Sequence, residues 1–185
     1  MKKAAVMLII VCYVFLNLIS YAENHAPDQY EVYNTFQYVY DFSDVIDEAV
    51  EAEIMINNYY LEKACRAQIV VIALDHTAIP LKEYAEEVFN KLGVGDSVLN
   101  NGLLLVMAIE DDDYWLTTGG DDNAGIDKLY TTDQIKEDFN AYLEDYFSRK
   151  EYSSGVKRFF ETLFWRVSNI YGVDIPYYRV EAIYQ

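Results

Sequence analysis

Positive charge is scarce in this chain. Lys and Arg number 14 against 31 Asp and Glu, for a formal net charge of −17. Such a surface repels phosphate backbones and anionic lipid headgroups and attracts cations, so nucleic acid and acidic membrane surfaces are disfavoured as partners. Cysteine is limited to Cys12 and Cys65. Cys12 lies in an apolar leader, which leaves the other thiol without a partner for an internal disulfide. Histidine is limited to His25 and His76, so no His/Cys set has zinc-ligand spacing. There is no Walker loop, no Gly-x-Ser-x-Gly and no Asp-x-Asp-x-Thr. Cys65 is followed by Arg66 but lacks the Cys-x₅-Arg phosphate loop, and helical spacing puts it on a core face as a small buried residue. No repeat is visible, and after the leader no stretch is long enough to span a bilayer.

The leader is the clearest positive signal. Lys2 and Lys3 precede an unbroken apolar run, and Ser20-Tyr21-Ala22 follows it. That order reads as a secretory signal peptide over residues 1–22, cleaved after Ala22, with a retained membrane anchor as the competing reading. Its removal takes two lysines away and leaves one domain's worth of chain, enough for a single core. Residues 23–37 are polar with scattered tyrosines and read as a linker or arm.

Periodicity organises the rest. Tyr38–Phe42 reads as a short strand or extended lead-in. Ser43-Asp44 reads as a helix N-cap, with Asp47 and Glu48 in the first turn. Ile46, Val50, Ile54, Leu61 and Cys65 share a helical face. Gln68–Leu74 is a β-branched apolar run, a buried strand. Pro80 opens a second helix with Leu81, Ala85, Val88, Phe89 and Leu92 on its core face, stopped by Gly93. Gly102–Ile109 is a second buried strand, parallel to the first because one helix separates them. The acidic turn 110–113 returns Tyr114–Thr118 antiparallel. Thr131 or Thr132 caps a helix carrying Ile135, Phe139, Leu143 and Tyr146. A last helix carries Val156, Phe159, Phe160, Leu163, Val167 and Ile170, and ends at Gly172. The tail, 173–185, has no clear assignment. The expected fold is α/β: a three-layer, Rossmann-like α/β/α sandwich with a small mixed sheet and helices on both faces.

The series V-Y-D-F-S-D-V-I, A-Q-I-V-V-I-A-L, E-Y-A-E-E-V-F-N-K-L-G-V-G and N-N-G-L-L-L-V, followed by an acidic turn and a strand ending in glycines, resembles the TPM domain. That family is found in thylakoid lumen proteins, exported bacterial proteins and a nematode receptor-accessory protein. The likeness runs from about Tyr38 to Tyr171 and places the domain at 38–172. It implies an α/β/α sandwich, an exported location and, often, a bound divalent cation. Some members are described as acid phosphatases, others as non-catalytic partners of membrane complexes. Two departures stand out. The acid usual before the Asn-Gly pair is Asn100 here. The usual Gly-Tyr-Gly and nearby Glu are replaced by Gly119-Gly120-Asp121-Asp122-Asn123. Either a ligand position has moved or the site is lost.

The strand order sorts the carboxylates by end of the sheet. One end gathers Asp96, Asn100, Asp121 and Asp122 beside glycines that let carbonyl oxygens turn inward, the preferred metal set. The other gathers Asp75, His76, Glu110–Asp113 and the approach loop, with Asp41, Asp111 and Asp113 as the second choice; open sheets commonly bind ligands beyond strand C-termini. All-oxygen sets favour Ca²⁺ or Mg²⁺. For either end the competing reading is ordinary turn chemistry. Lys91 and Lys128 are the basic residues nearest the first end. No nucleophile–base set is present. The expected function is therefore an exported, cation-binding accessory module of the cell envelope that docks on a membrane or envelope protein. The alternative is a metal-dependent acid phosphatase of low activity. The tyrosines of the two termini either form an interface or fold back on the domain.

Overall fold

The computed structural model describes residues 37–120 and 125–180. The leader 1–22 with its cut site, the arm to residue 36 with His25, Tyr30 and Tyr33, the acids Asp121 and Asp122, and Tyr184 lie outside the described residues.

Four strands form one mixed sheet in the order β1-β2-β3-β4: β1 (Val39–Asp41), β2 (Gln68–Leu74), β3 (Gly102–Ala108) and β4 (Asp113–Thr118). β1, β2 and β3 run parallel, and β4 returns antiparallel to β3. β2 and β3 are buried on both faces, which is why they read as continuous apolar runs. Ile69, Val71, Ala73, Leu103, Leu105, Met107 and Leu116 face one core, shared with α1 (Glu48–Cys65) and α5 (Tyr152–Tyr171). The alternate residues face α2 (Leu81–Leu92), which lays Leu81, Tyr84, Ala85 and Val88 on them. Helices α3 (Thr132–Tyr142) and α4 (Glu144–Ser148) complete the first layer through Leu143 and Phe147. The fold is thus the α/β/α sandwich that the periodicity implies. No helix among the described residues is long and apolar enough to cross a membrane.

Three local features depart from the sequence reading. Helix α1 starts three or four residues later than Ser43-Asp44 suggests, at Glu48 with Asp47 as N-cap. Asp41 Oδ2 accepts from the amides of Val45 and Ile46, at 2.8 and 2.6 Å, and Asp44 sits at φ +53°, so the chain turns once before the helix can begin. Pro80 is the N-cap of α2 rather than its first residue. The helix carrying Ile135 breaks at Leu143, whose buried side chain anchors the bend between α3 and α4. Elsewhere the end signals hold. Thr131 forms a capping box with Gln134, and Gly93 and Gly172 close α2 and α5 in the left-handed region.

Helix α1 also buries three polar residues that periodicity does not flag: Glu53, Asn57 and Asn58. Asn58 uses its amide as a piece of backbone. Its Nδ2 donates to Ile69 O and its Oδ1 accepts from Ile69 N, both at 2.8 Å, which pins β2 to the helix. Asn57 makes the same exchange with Tyr178 in the tail. Tyr177 and Tyr178 fold back, packing on Phe164 and Tyr60 with ring centroids 5.1 and 4.7 Å apart.

Candidate functional site

The first acidic end of the sheet forms a pocket of about 250 Å³ lined by residues 89–90, 93–97, 100, 119 and 120. Glycines make it possible. A Cβ on Gly102 would lie 2.1 Å from Val94 O, and one on Gly119 would lie 2.5 Å from Asn100 O. Three stretches of backbone therefore cross at distances that side chains forbid. Gly95 takes φ +87° and donates its N–H to Gln68 Oε1 at 2.7 Å. Asn101 is fully buried beneath the crossing. Its Oδ1 accepts from Asp96 N and its Nδ2 donates to Cys65 O, each at 3.0 Å, joining the pocket loop to the last turn of α1.

Of the preferred set, Asp96 and Asn100 meet here. Asp96 is fully engaged: Oδ1 accepts from the amides of Val98 and Leu99, both at 2.9 Å, and Oδ2 pairs with Arg66 at 2.8 Å. The Leu99 and Val98 amides, and then the Arg66 guanidinium, hold its carboxyl below the usual carboxylate range. Asn100 sits at φ +48°, donates its N–H to Asp96 O at 2.7 Å and accepts from Ile126 N at 3.0 Å. Asp121 and Asp122 lie outside the described residues, in the chain between Gly120 and Gly125, which face each other across an isolated bridge.

One acid at this end was missed by the sequence reading. Asp127 donates its backbone N–H to Gly119 O at 3.2 Å, and its carboxylate lies where a Cβ on Gly120 would be, 2.2 Å from Asp127 Cγ. Its Oδ1 is buried and has no hydrogen-bond partner among the described residues, while Oδ2 lies 3.3 Å from Lys128 Nζ. Its only sequence signal was its position two residues after Gly125, on a short 3₁₀ turn, Ile126–Lys128.

The second-choice set is not gathered. Asp41 lies on β1 and Asp113 on β4, at opposite edges of the sheet. Three inter-strand spacings separate them, about 14 Å. Each carboxylate serves the backbone near it: Asp111 Oδ2 accepts from Thr77 N at 3.1 Å and Asp113 Oδ1 from Tyr114 N at 2.9 Å. His76 pairs with Glu110 at 3.2 Å, exposed. Among the described residues no three His, Cys, Asp or Glu side chains converge to hold a metal. Cys65 is buried, and burial pushes its thiol up, away from the reactive thiolate.

The TPM domain model matches residues 39–164. The chain belongs to the TPM domain family. Three solved structures are similar to it. The N-terminal domain of a protein from P. gingivalis aligns with TM-score 0.64 at 17% identity, over 77% of this chain and 88% of that one. The BA42 protein of the psychrophilic bacterium Bizionia argentinensis gives 0.58 at 20% identity, over 70% and 86%. The N-terminal domain of cg2496 from Corynebacterium glutamicum gives 0.53 at 14% identity, over 87% and 94%. At these identities the likeness is one of fold. No curated protein matches the chain. In this TPM domain the glycine crossing and Asn101 account for the Asn-Gly-Leu-Leu-Leu stretch that carries the resemblance.

Proposed function

We propose that this TPM domain holds a divalent cation beside Asp127 and serves as an exported accessory module rather than as an enzyme. The observation that carries the reading is the buried Asp127 Oδ1, without a partner among the described residues. A carboxylate oxygen out of water with nothing bonded to it is costly, and a cation removes that cost. The adjoining residues 121–123 read Asp-Asp-Asn and supply further oxygen donors in sequence. Oxygen donors without His or Cys suit Ca²⁺ or Mg²⁺. Asp96 supports the loop through the Val98 and Leu99 amides rather than competing for the ion. The accessory role follows from the chemistry of the pocket. Its lining among the described residues contains neither His nor Cys, and its one acid, Asp96, is paired with Arg66.

Calorimetric titration of residues 23–185 with Ca²⁺ and Mg²⁺ tests the site. Wild type binds, and Asp127→Ala and the Asp121→Ala/Asp122→Ala pair each lose at least about tenfold in affinity. A wild type that binds neither ion overturns the reading. Release of phosphate from a chromogenic ester, dependent on metal and abolished by Asp127→Ala, converts it to a metal-dependent phosphatase. Export is tested by mass spectrometry of the protein recovered outside the cytoplasm, whose first residue is then Glu23.

A further inference from the structure

Helix α1 turns a largely apolar stripe outward. Its inner side buries Val50, Ile54, Leu61 and Cys65, while Glu48, Ala52, Met55, Ile56, Tyr59 and Lys63 are exposed. Met55, Ile56 and Tyr59 stand 54%, 36% and 50% open to solvent, three of the nine large apolar side chains exposed among the described residues. Single exposed apolar residues are ordinary, but a run of them on one helical face marks a contact surface. The stripe consists of two adjoining rows at i,i+4 spacing, 48-52-56 and 55-59-63. Read in reverse, one row complements the other: Glu48 answers Lys63, Ala52 answers Tyr59, and Ile56 answers Met55. Each pair is placed symmetrically about the bond between Met55 and Ile56.

We propose that this stripe is the contact between two copies of the chain, which pair through antiparallel α1 helices about a two-fold axis. Such an axis sets one surface against itself, so the surface must complement its own reversal. The two rows meet that condition. Laid antiparallel, Glu48 of each copy faces Lys63 of the other, and the large Tyr59 ring lies over the small Ala52. A parallel pair would instead set like charges together and ring against ring. Neither Glu48 nor Lys63 is in an ion pair among the described residues, and Lys63 Nζ is held on the stripe 4.3 Å from the Tyr59 ring centroid. The neighbouring acids limit the strength of the pair. Glu51 and Glu62 stand along one flank of α1, where Glu62 accepts from the Tyr38 hydroxyl, and in the antiparallel pair they meet across the rim. At physiological salt, screening beyond about 8 Å removes most of the remaining repulsion from a net charge of −17. A stripe this short is small for a permanent assembly, so the pair is weak and forms at high local concentration. The cation site is built from other residues, so either reading can fail alone.

Sedimentation velocity of residues 23–185 at about 1 µM and about 100 µM tests the pairing, since a contact of this size is populated only at the higher concentration. The expected result is a monomer at the first and mostly dimer at the second. Tyr59→Glu, a change on the exposed side of the helix, abolishes the dimer and leaves the circular dichroism spectrum as in wild type. Glu48→Lys and Lys63→Glu each weaken it at least about fivefold, because each puts two like-charge contacts in place of two attractive ones. Mixed in equal amounts, these two variants pair with each other and recover the wild-type dimer, which a change within one chain could not do. A chain that stays monomeric at about 100 µM overturns the proposal, whether another segment of the chain or a different protein then covers the stripe. So does a dimer that survives Tyr59→Glu, or a mixture of the two charge variants no more dimeric than either alone.

Discussion

Asn57 and Tyr178, 121 positions apart, exchange two hydrogen bonds of 2.8 Å that tie α1 to the tail. A buried side-chain amide thus does for the tail what a neighbouring strand would do. Val180 N adds a bond to Glu53 Oε2 at 3.1 Å, where Lys157 Nζ also arrives at 2.9 Å.

Replacing Asn57 by Ala therefore strips the tail of its principal bonds and leaves the Tyr178 backbone groups unpaired. The expected cost is about 2 kcal/mol in urea unfolding, with faster tryptic cleavage after Arg179. Unchanged cleavage would show that ring packing alone holds the tail.

A second polar core ties α3 to α5. Asp138 is buried and takes Arg166 in a two-pronged pair at 2.7 and 2.8 Å, with the Tyr130 hydroxyl at 2.8 Å. Arg166→Met strands the carboxylate, at an expected cost of about 3–5 kcal/mol. Arg166→Met combined with Asp138→Leu costs less than Arg166→Met alone. The exposed Arg149–Asp145 pair is the control, worth at most about 1 kcal/mol.

Stability falls at both extremes of pH, for opposite reasons. Burial first, and then a neighbouring carboxylate, raises the phenols of Tyr38, Tyr114, Tyr130 and Tyr177. The unfolded chain gives up these protons near pH 10 while the fold keeps them, so the contribution is complete below about pH 10 and is lost as pH rises above it. Asp96 is lowered instead, so its contribution is present above about pH 4 and disappears as pH falls. Urea midpoints from pH 2 to 12 should fall at each end. Tyr130→Phe flattens the alkaline fall and Asp96→Asn the acid one.

Gly102→Ala is expected to be among the costliest single changes, because its Cβ meets Val94 backbone rather than a movable side chain. About 3 kcal/mol is expected. Gly93→Ala meets nothing within 4 Å and carries only the strain of φ +64°, about 1–2 kcal/mol. Thermal melts of the two variants rank them.

The layers were legible because β2, β3 and the core faces of α1, α2 and α5 obey simple periods. The start of α1 was not, because Asp41 acts across four residues in a way no capping rule records. Asn57 and Asn58 gave no signal, since a buried amide that mimics backbone leaves no periodic trace. At the pocket, the glycines and Asp96 were visible as a cluster of turn formers. Asp96's commitment to Arg66 and two amides was not, because it depends on a helix end 30 residues away. Asp127 needed the bridge between Gly120 and Gly125 to bring it into place.

Cys65 sits at the joint between α1 and the pocket loop: its carbonyl holds Asn101 and its thiol donates to Leu61 O at 3.3 Å. With Cys12 changed to Ser, it is the one sulfhydryl in the chain. The speed at which a thiol reagent reaches it then becomes a built-in clock for how often that joint comes apart.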